Sequence, residues 1–469
     1  MAKSYQYTLL IVESPTIASI IRHFNIPYLE VIATHGFCWK PIYDFSNNKL
    51  HYRADPDKRD IRRKLKERVP WADMIVVATD TDSAGEFIAF TIRKYLKKHS
   101  LKRGYIQNLS KSGILNTIEH SRPFEDLQFQ SLINRYVCNL LLEKKLSSKL
   151  GKFVWIKLLT SSLFQGPVEA KIFQKLGEPT TNYWFSDKAI KIPFKGKIKI
   201  QQTGKSKRYE IKEPWNTADI LEKISDNYSS LKQAQIDLND LFTLVPEDWN
   251  HGLISYPRTS SNGYYEQSWK YDCNKWIINN AMESFLPNPL WNCLEPIVPH
   301  ESIHPIDLAL KPSEVRTKMR KKYYDLYFLI YEHHKMVLQM PQKTEWIVYE
   351  PLQENIKNSF FSKSSNNNTN ELVPLLKISD FLLYLTTYEA ARPSGYGQIM
   401  DELIADNWIY TNNGCIYPDK KLEKHLQNVD DWETLKNGLD FIKEGIANQL
   451  IWPDSKLFDM IQRIVSTVH

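Results

Sequence analysis

Apolar positions in the first 120 residues fall into short runs separated by stretches with helical spacing. Tyr7–Val12 and Met74–Ala78 are apolar runs too short for core helices and suited to buried parallel strands. Val31–Thr34 predicts another strand. Pro15 opens a helical stretch through Phe24, Asp57–Arg68 reads as a very basic helix, and Gly85–Leu96 carries helical spacing. Strands alternating with helices predict an open, mostly parallel α/β sheet. Ligands of such sheets sit beyond the carboxyl ends of the strands. Glu13 follows the first run directly, and Asp80 and Asp82 follow the Met74–Ala78 run.

Further along, Leu132, Ile133, Tyr136, Val137, Leu140 and Leu141 recur at helical spacing within Leu127–Leu150. Residues 183–212 alternate apolar and basic side chains, which predicts antiparallel strand. Residues 245–335 read as mainly helical, and Trp346–Tyr349 begins a second strand region. Ser362–Asn370 is a polar low-complexity loop. The last 90 or so residues read as helical, with one short strand pair near Trp408–Tyr417. No internal repeat is visible. The fold class predicted is multidomain α+β, with an α/β unit first and helical and β-rich units after it.

Composition narrows the class. With 42% hydrophobic and 12% aromatic residues over 469 positions, the chain can bury sizeable cores, which excludes global disorder. Lys plus Arg exceeds Asp plus Glu by seven (61 against 54), a modest excess that fits a polyanionic partner. Cys38, Cys138, Cys273, Cys293 and Cys415 are far apart with no CxxC pair, which argues against a disulfide framework or a zinc ribbon. No apolar run approaches the ~18 residues of a spanning helix, and the N-terminus lacks a signal-peptide pattern. The expectation is a soluble intracellular protein, cytoplasmic or nucleoid-associated.

Four clusters could carry chemistry. Glu13, Asp80, Asp82 and Glu86 gather carboxylates at strand ends, a set suited to Mg2+, which keeps waters and accepts phosphate oxygens. The plainer reading is an acidic strand-to-helix turn, with Glu86 favourable in a helix's first turn. In Leu253–Ser261, Tyr256 is followed two positions later by Arg258. A tyrosine hydroxyl can attack phosphorus to form a covalent ester, and an arginine fork can steady the phosphoryl oxygens. A buried tyrosine in a turn is the alternative. His300–His304 matches HExxH, but that motif needs a helix, and Pro299 and Pro305 enclose it. A phosphate-contacting His300 or a structural turn is preferred over a zinc site. Finally, Arg392 and Ser394 precede a helical stretch and suit a phosphate, unless Ser394 merely caps the helix. There is no GxxxxGK[ST] loop and no GxGxxG, so neither ATP-driven chemistry nor a dinucleotide site is indicated.

The order of these segments carries more than any one of them. IVES at 11–14, ATHG at 33–36, ATDTDSAGE at 78–86, LISYPRTS at 253–260, HESIHP at 300–305 and RPSGYG at 392–397 follow one another along the chain. This order resembles that of the type IA DNA topoisomerases over nearly the whole length. The resemblance implies a four-part toroid. Its parts would be a TOPRIM metal-binding domain at 1–125, a helical base at 126–180 and 378–469, a strand-rich hinge at 181–245 and 336–377, and a tyrosine-bearing lobe at 246–335. It further implies Tyr256 as nucleophile forming a 5′-phosphotyrosyl link, Arg258 and His300 at the scissile phosphate, and Glu13 handling the proton of the leaving 3′-hydroxyl. Asp80, Asp82 and Glu86 would serve Mg2+. Arg392, Ser394, Gln165 and Lys111 would contact DNA, with further binding from the basic stretches Lys58–Arg68 and Arg93–Arg103. The partner implied is single-stranded or underwound DNA, with RNA as an alternative, and no ATP is required.

The chain departs from the family pattern at several places. Ile17 stands where the family has lysine, Ser83 and Ala84 replace an arginine and a glutamate, and Leu163 and His304 replace arginines. Ser260 stands for an aspartate and Gly395 for a threonine. Two other readings follow: a topoisomerase-fold DNA-binding or scaffolding protein with weak or lost turnover, and a metal-dependent TOPRIM nuclease, in which Tyr256, Arg258 and His300 would have no role.

Overall fold

The structure is a computed structural model. It describes residues 7–44, 47, 49–80, 83–96, 101–124, 126–164, 181–185, 188–192, 198–209, 212–245, 251–265, 268–269, 300–339, 343–352, 360–362, 371–372, 376–388, 390–429, 431–447 and 455–468. Asp82 and Gln165 lie outside these residues, as does the polar stretch 363–370.

The chain begins with strand β1 (Thr8–Val12), helix α1 (Pro15–His23) and strand β2 (Leu29–Ala33). A hairpin of β3 (Trp39–Asp44) and β4 (Lys49–Ala54) leads to α2 (Arg59–Arg68), β5 (Met74–Val77), α3 (Ser83–Leu96), β6 (Leu101–Arg103), α4 (Lys111–Glu119) and β7 (Arg122–Pro123). Five of these strands form one sheet in the order β2-β1-β5-β6-β7. β1 runs parallel to β2 and β5, β5 runs parallel to β6, and only β7 is antiparallel.

All five residues of β1 are buried, because both faces of the sheet are covered. Leu10 and Val12 point into one core with Ile17, Ala18 and Ile21 of α1. Leu9 and Ile11 point into the other with Ile88, Ala89 and Ile92 of α3. Each such aliphatic side chain contributes about 1.5–3 kcal/mol by leaving water. The predicted parallel α/β sheet is therefore present, with Glu13 and Asp80 beyond the ends of adjacent strands.

Helices dominate the rest. They are α5 (Asp126–Leu150), α6 (Val154–Leu163), α7 (Thr217–Ile224), α8 (Leu231–Thr243), α9 (Lys321–Leu338), α10 (Ile378–Thr387), α11 (Tyr396–Ala405), α12 (Lys420–Gln427), α13 (Trp432–Ala447) and α14 (Ser455–Ser466). α5 packs on α3, α6 and α13, while α8 packs on α9 and α11. One apolar core runs from the α1 face of the sheet into these helices. Among the described residues, no helix is long and apolar enough to cross a membrane.

Strand β8 (Thr181–Phe185) pairs antiparallel with β9 (Lys188–Ile192). The long β10 (Ile198–Tyr209) pairs antiparallel with β11 (Lys343–Pro351), so segments far apart in sequence share one sheet. Strands end at Tyr209, however, and residues 217–243, grouped above with the strand-rich segment, form α7 and α8. The local signals were present: Asn216 and Ser230 accept backbone N–H groups as N-caps, and Leu231, Ala234, Leu238, Leu241 and Phe242 bury one helical face.

Candidate active site

Glu13 is the residue after β1, and the side chain of Ser14 then caps α1. Its carbonyl accepts the His35 N–H at 2.9 Å, which ties the β1 end to the loop after β2. Asp80 lies three residues beyond β5. The turn that carries it folds back on the start of α3: Thr79 Oγ1 donates to the Gly85 carbonyl at 2.7 Å. A Cβ on Gly85 would stand 2.0 Å from the Asp80 carbonyl oxygen, so no other residue fits this approach.

Arg103, at the end of β6, pins the same turn from beneath. It is only 4% exposed. Its guanidinium donates to Glu86 (Nε 3.1 Å, Nη2 2.7 Å) and to the carbonyls of Asp80 at 2.9 Å, Val77 at 2.9 Å and Gly104 at 2.8 Å. Those contacts use all five N–H groups of an arginine, the condition under which a buried cation is tolerated. Arg103 is thus buried rather than exposed, and Glu86, assigned to Mg2+ above, is ion-paired with it.

The tyrosine segment is held on both sides by backbone. The Gly252 and Tyr256 N–H groups donate to the carbonyls of Leu109 at 2.7 Å and Gln107 at 2.9 Å. On the other side the Ser255 N–H reaches the His304 carbonyl at 2.8 Å, and the Ile306 N–H reaches that of Leu253 at 3.0 Å. Residues 300–304 are therefore extended, not helical, and His300 and His304 share no helical face. The HExxH match does not form a zinc site. Glu301 instead accepts the Tyr265 N–H at 2.8 Å and the Ser268 hydroxyl at 3.0 Å.

The Tyr256 ring lies between two aromatic partners. Phe242 meets it edge-on (5.5 Å, 90°) and His300 stacks on it (4.1 Å, 23°). Tyr256 and His300 share a cleft with Glu13 and Asp80, walled in part by Ile17 and Phe242. Arg258 donates through Nε to Asn239 Oδ1 at 3.1 Å, and its Nη1 is ion-paired with the Asp80 carboxylate. Four residues singled out from the sequence, Glu13, Asp80, Tyr256 and His300, thus line one cleft, and Arg258 joins them through Asp80. His300 is buried, and that burial, followed by the positive charge of Arg103, pushes its pKa down to about 3. Its imidazole is neutral in the folded protein.

The remaining candidates stand further out. Arg392 precedes a single turn, Pro393–Gly395, that leads into α11. No side chain caps α11, so Ser394 is not its cap. This turn docks on α8: the Gln235 side chain binds the Pro393 carbonyl and accepts the Gly397 N–H at 2.7 Å. One helical turn later, about 6 Å along the axis, α8 presents Asn239 to Arg258 and then Phe242 to Tyr256. Lys111 is exposed at the first position of α4, beside the stretch that pairs with the tyrosine segment.

Motif reading singled out neither Gln107, Arg103, Asn239 nor Phe242. An arginine at the end of a short strand inside a parallel sheet was the one available signal for Arg103. Three positions where the family pattern carries lysine or arginine hold other, buried residues: Ile17, Leu163 and His304, the last stacked on His334 at 5.2 Å.

No group of three or more His, Cys, Asp or Glu side chains among the described residues is placed to hold a metal. Glu13 and Asp80 nevertheless bring two carboxylates to one cleft. Hard oxygen donors in that number fit Mg2+, which takes one or two carboxylates and fills its shell with water and phosphate oxygens.

No family model matches the chain. It is 24% identical to DNA topoisomerase 1 of Helicobacter pylori, over 69% of this chain and 51% of that protein. It is 22% identical to DNA topoisomerase 1 of Mycoplasmoides gallisepticum, over 95% of this chain and 82% of that one. The chain thus spans about half the length of the Helicobacter protein. Its fold matches full-length topoisomerase I of Thermotoga maritima with a TM-score of 0.67, covering 98% of this chain and 90% of that one at 16% identity. In sequence and in fold, the chain is similar to these bacterial DNA topoisomerases I.

Proposed function

We propose that the chain is a DNA topoisomerase that cuts single-stranded DNA transiently through a 5′-phosphotyrosine at Tyr256, passes a strand and reseals the break. The observation that supports this most is the cleft itself, where the phenol ring lies beside Glu13, Asp80 and His300 and near a cation, Arg258. The Tyr256 hydroxyl attacks phosphorus and releases its proton to solvent, and the bond from phosphorus to the 3′-oxygen breaks. Glu13 supplies the proton taken up by that oxygen and takes it back on resealing. Arg258 leaves Asp80 to pair with the phosphate, where its planar fork meets two oxygens. A bound Mg2+, held by Asp80 with Asp82, would add positive charge facing the phosphate oxygens. The ester conserves the energy of the cut bond, so ATP is not needed. Exposed Lys111 and the Arg392–Ser394 turn are assigned to the DNA backbone.

The test is relaxation of negatively supercoiled plasmid in Mg2+ without ATP, beside Tyr256→Phe and an EDTA control. A denaturant-trapped protein–DNA adduct mapped to Tyr256 supports the proposal. Equal activity of both proteins, or nicked DNA with free ends, overturns it. A second reading, a DNA-binding protein of this fold with little turnover, draws support from the loss of lysine or arginine at Ile17, Leu163 and His304. Tight binding of single strands without any adduct would favour it.

A further inference from the structure

Gln107 touches both the tyrosine segment and His300. Its carbonyl accepts the Tyr256 N–H at 2.9 Å, and its side-chain Oε1 lies 3.2 Å from Nδ1 of His300. The amide nitrogen of the same side chain donates to the Tyr265 hydroxyl at 3.3 Å, and in this orientation the amide oxygen faces the imidazole. An amide oxygen can only accept, so Nδ1 must carry the proton. In a neutral imidazole that leaves a lone pair on Nε2. Nε2 of His300 is buried and makes no hydrogen bond within the described residues. Because the His300 ring stacks on Tyr256, the two ring systems lie side by side in the cleft.

We infer that Gln107 is a positioning residue that holds His300 as the Nδ1–H tautomer, so that Nε2 meets the substrate as an uncharged hydrogen-bond acceptor. This rests on the proposed function and deepens it. A phosphate oxygen offers no proton, so Nε2 cannot bond to it directly. A hydroxyl does offer one, and the cut strand carries a 3′-hydroxyl that must be retained for resealing. His300 is thereby assigned to that hydroxyl rather than to the phosphate. The charged and titratable groups around the ring are consistent with a neutral imidazole. Arg103 lies behind Tyr105, whose ring edge faces His300 at 6.5 Å, while Tyr256, Glu13 and Asp80 border the cleft.

The experiment is nitrogen NMR of the full chain labelled with 15N-histidine, with the His300 signals identified by their loss in His300→Gln. The expected spectrum at neutral pH shows His300 with a protonated Nδ1 and a lone-pair Nε2. A proton on Nε2 instead would overturn the inference, whatever the plasmid assay reports. Conversely, an inactive protein with the Nδ1–H signature would sink the proposed activity and leave the tautomer assignment standing. Gln107→Glu places a carboxylate against Nδ1, so His300 should take a second proton nearer neutral pH and the pH profile of resealing should shift. Gln107→Leu should slow resealing about tenfold, the worth of one hydrogen bond, with DNA affinity unchanged. Should Gln107→Leu fail to fold, the wild-type and Gln107→Glu spectra still decide. A Gln107→Glu protein whose His300 signals and pH profile match the wild type overturns the inference.

Discussion

Arg258 and Asp80 stand 178 positions apart in sequence, and their side chains form an ion pair across the cleft. The cation proposed for the phosphate and the carboxylate proposed for the metal therefore neutralise each other in the DNA-free protein.

Asp80→Asn should free Arg258 for DNA while removing a metal donor. Single-strand binding is expected to tighten at low salt, with the slope of log affinity against log salt steeper by about 0.7, the share of one added phosphate contact. Cleavage should be lost. Fluorescence anisotropy at several salt concentrations measures the slope. An unchanged slope would mean that Arg258 does not reach the DNA.

The packing around Tyr256 separates chemistry from stability. Tyr256→Phe keeps the ring between Phe242 and His300, so urea unfolding should shift by no more than about 1 kcal/mol, while the covalent adduct disappears. Phe242→Ala removes a buried ring and should cost about 3–5 kcal/mol, with cleavage impaired through a loosened tyrosine.

Acid should destabilise the fold. Burial depresses His300 to about 3 and is also the main cause at His333 and His425, both pushed down to about 4. All three are neutral in the folded chain, yet protonate in the unfolded chain below about 6.5. Stability is thus fully present above that pH and falls as the pH drops toward 4. Asp219 opposes this: burial raises it to about 6, so the folded protein binds its proton first. Two uncompensated protons remain between about pH 6 and 4, each worth about 1.4 kcal/mol per pH unit. Urea midpoints from pH 7 to 4 test this, and His425→Gln should flatten the decline.

Two glycines should fail differently. Gly85→Ala would put a Cβ 2.0 Å from the Asp80 carbonyl oxygen and displace that turn, which should reduce cleavage about 100-fold on top of a stability loss of about 1–3 kcal/mol. Gly397→Ala would put a Cβ 2.5 Å from the Leu231 carbonyl and force α11 off α8. It should cost about 1–3 kcal/mol. Parallel melting and cleavage assays distinguish the two.

The parallel sheet was legible because β1 and β5 must be apolar on both faces, which leaves little ambiguity of period. The acids Glu13 and Asp80 were legible because a charge directly after such a strand has few places to go except the sheet's edge. Tyr256 stood out through Arg258 and motif order, not through any property of a tyrosine among twenty-five. What sequence did not reveal is how the cluster is supported. Arg103 resembled one more surface cation, since a cation's burial depends on partners such as Glu86 and the Asp80 carbonyl, brought by the fold. Gln107, Asn239 and Phe242 carry no motif, and their roles come from contacts of long sequence separation. The alternation predicted over 183–212 ends as strand at Tyr209, and α7 and α8 follow with caps of their own.

The backbone bonds beside Tyr256 have a mechanical consequence. The stretch 107–110 holds the tyrosine segment through the Gly252 and Tyr256 amides, whereas β10 and β11 are paired over nine residue positions. At roughly 1 kcal/mol for each hydrogen bond, this join is the thinner seam, and it keeps Tyr256 in register only because the core beneath it runs on from Ile106 and Leu109 to Leu253 and Ile254.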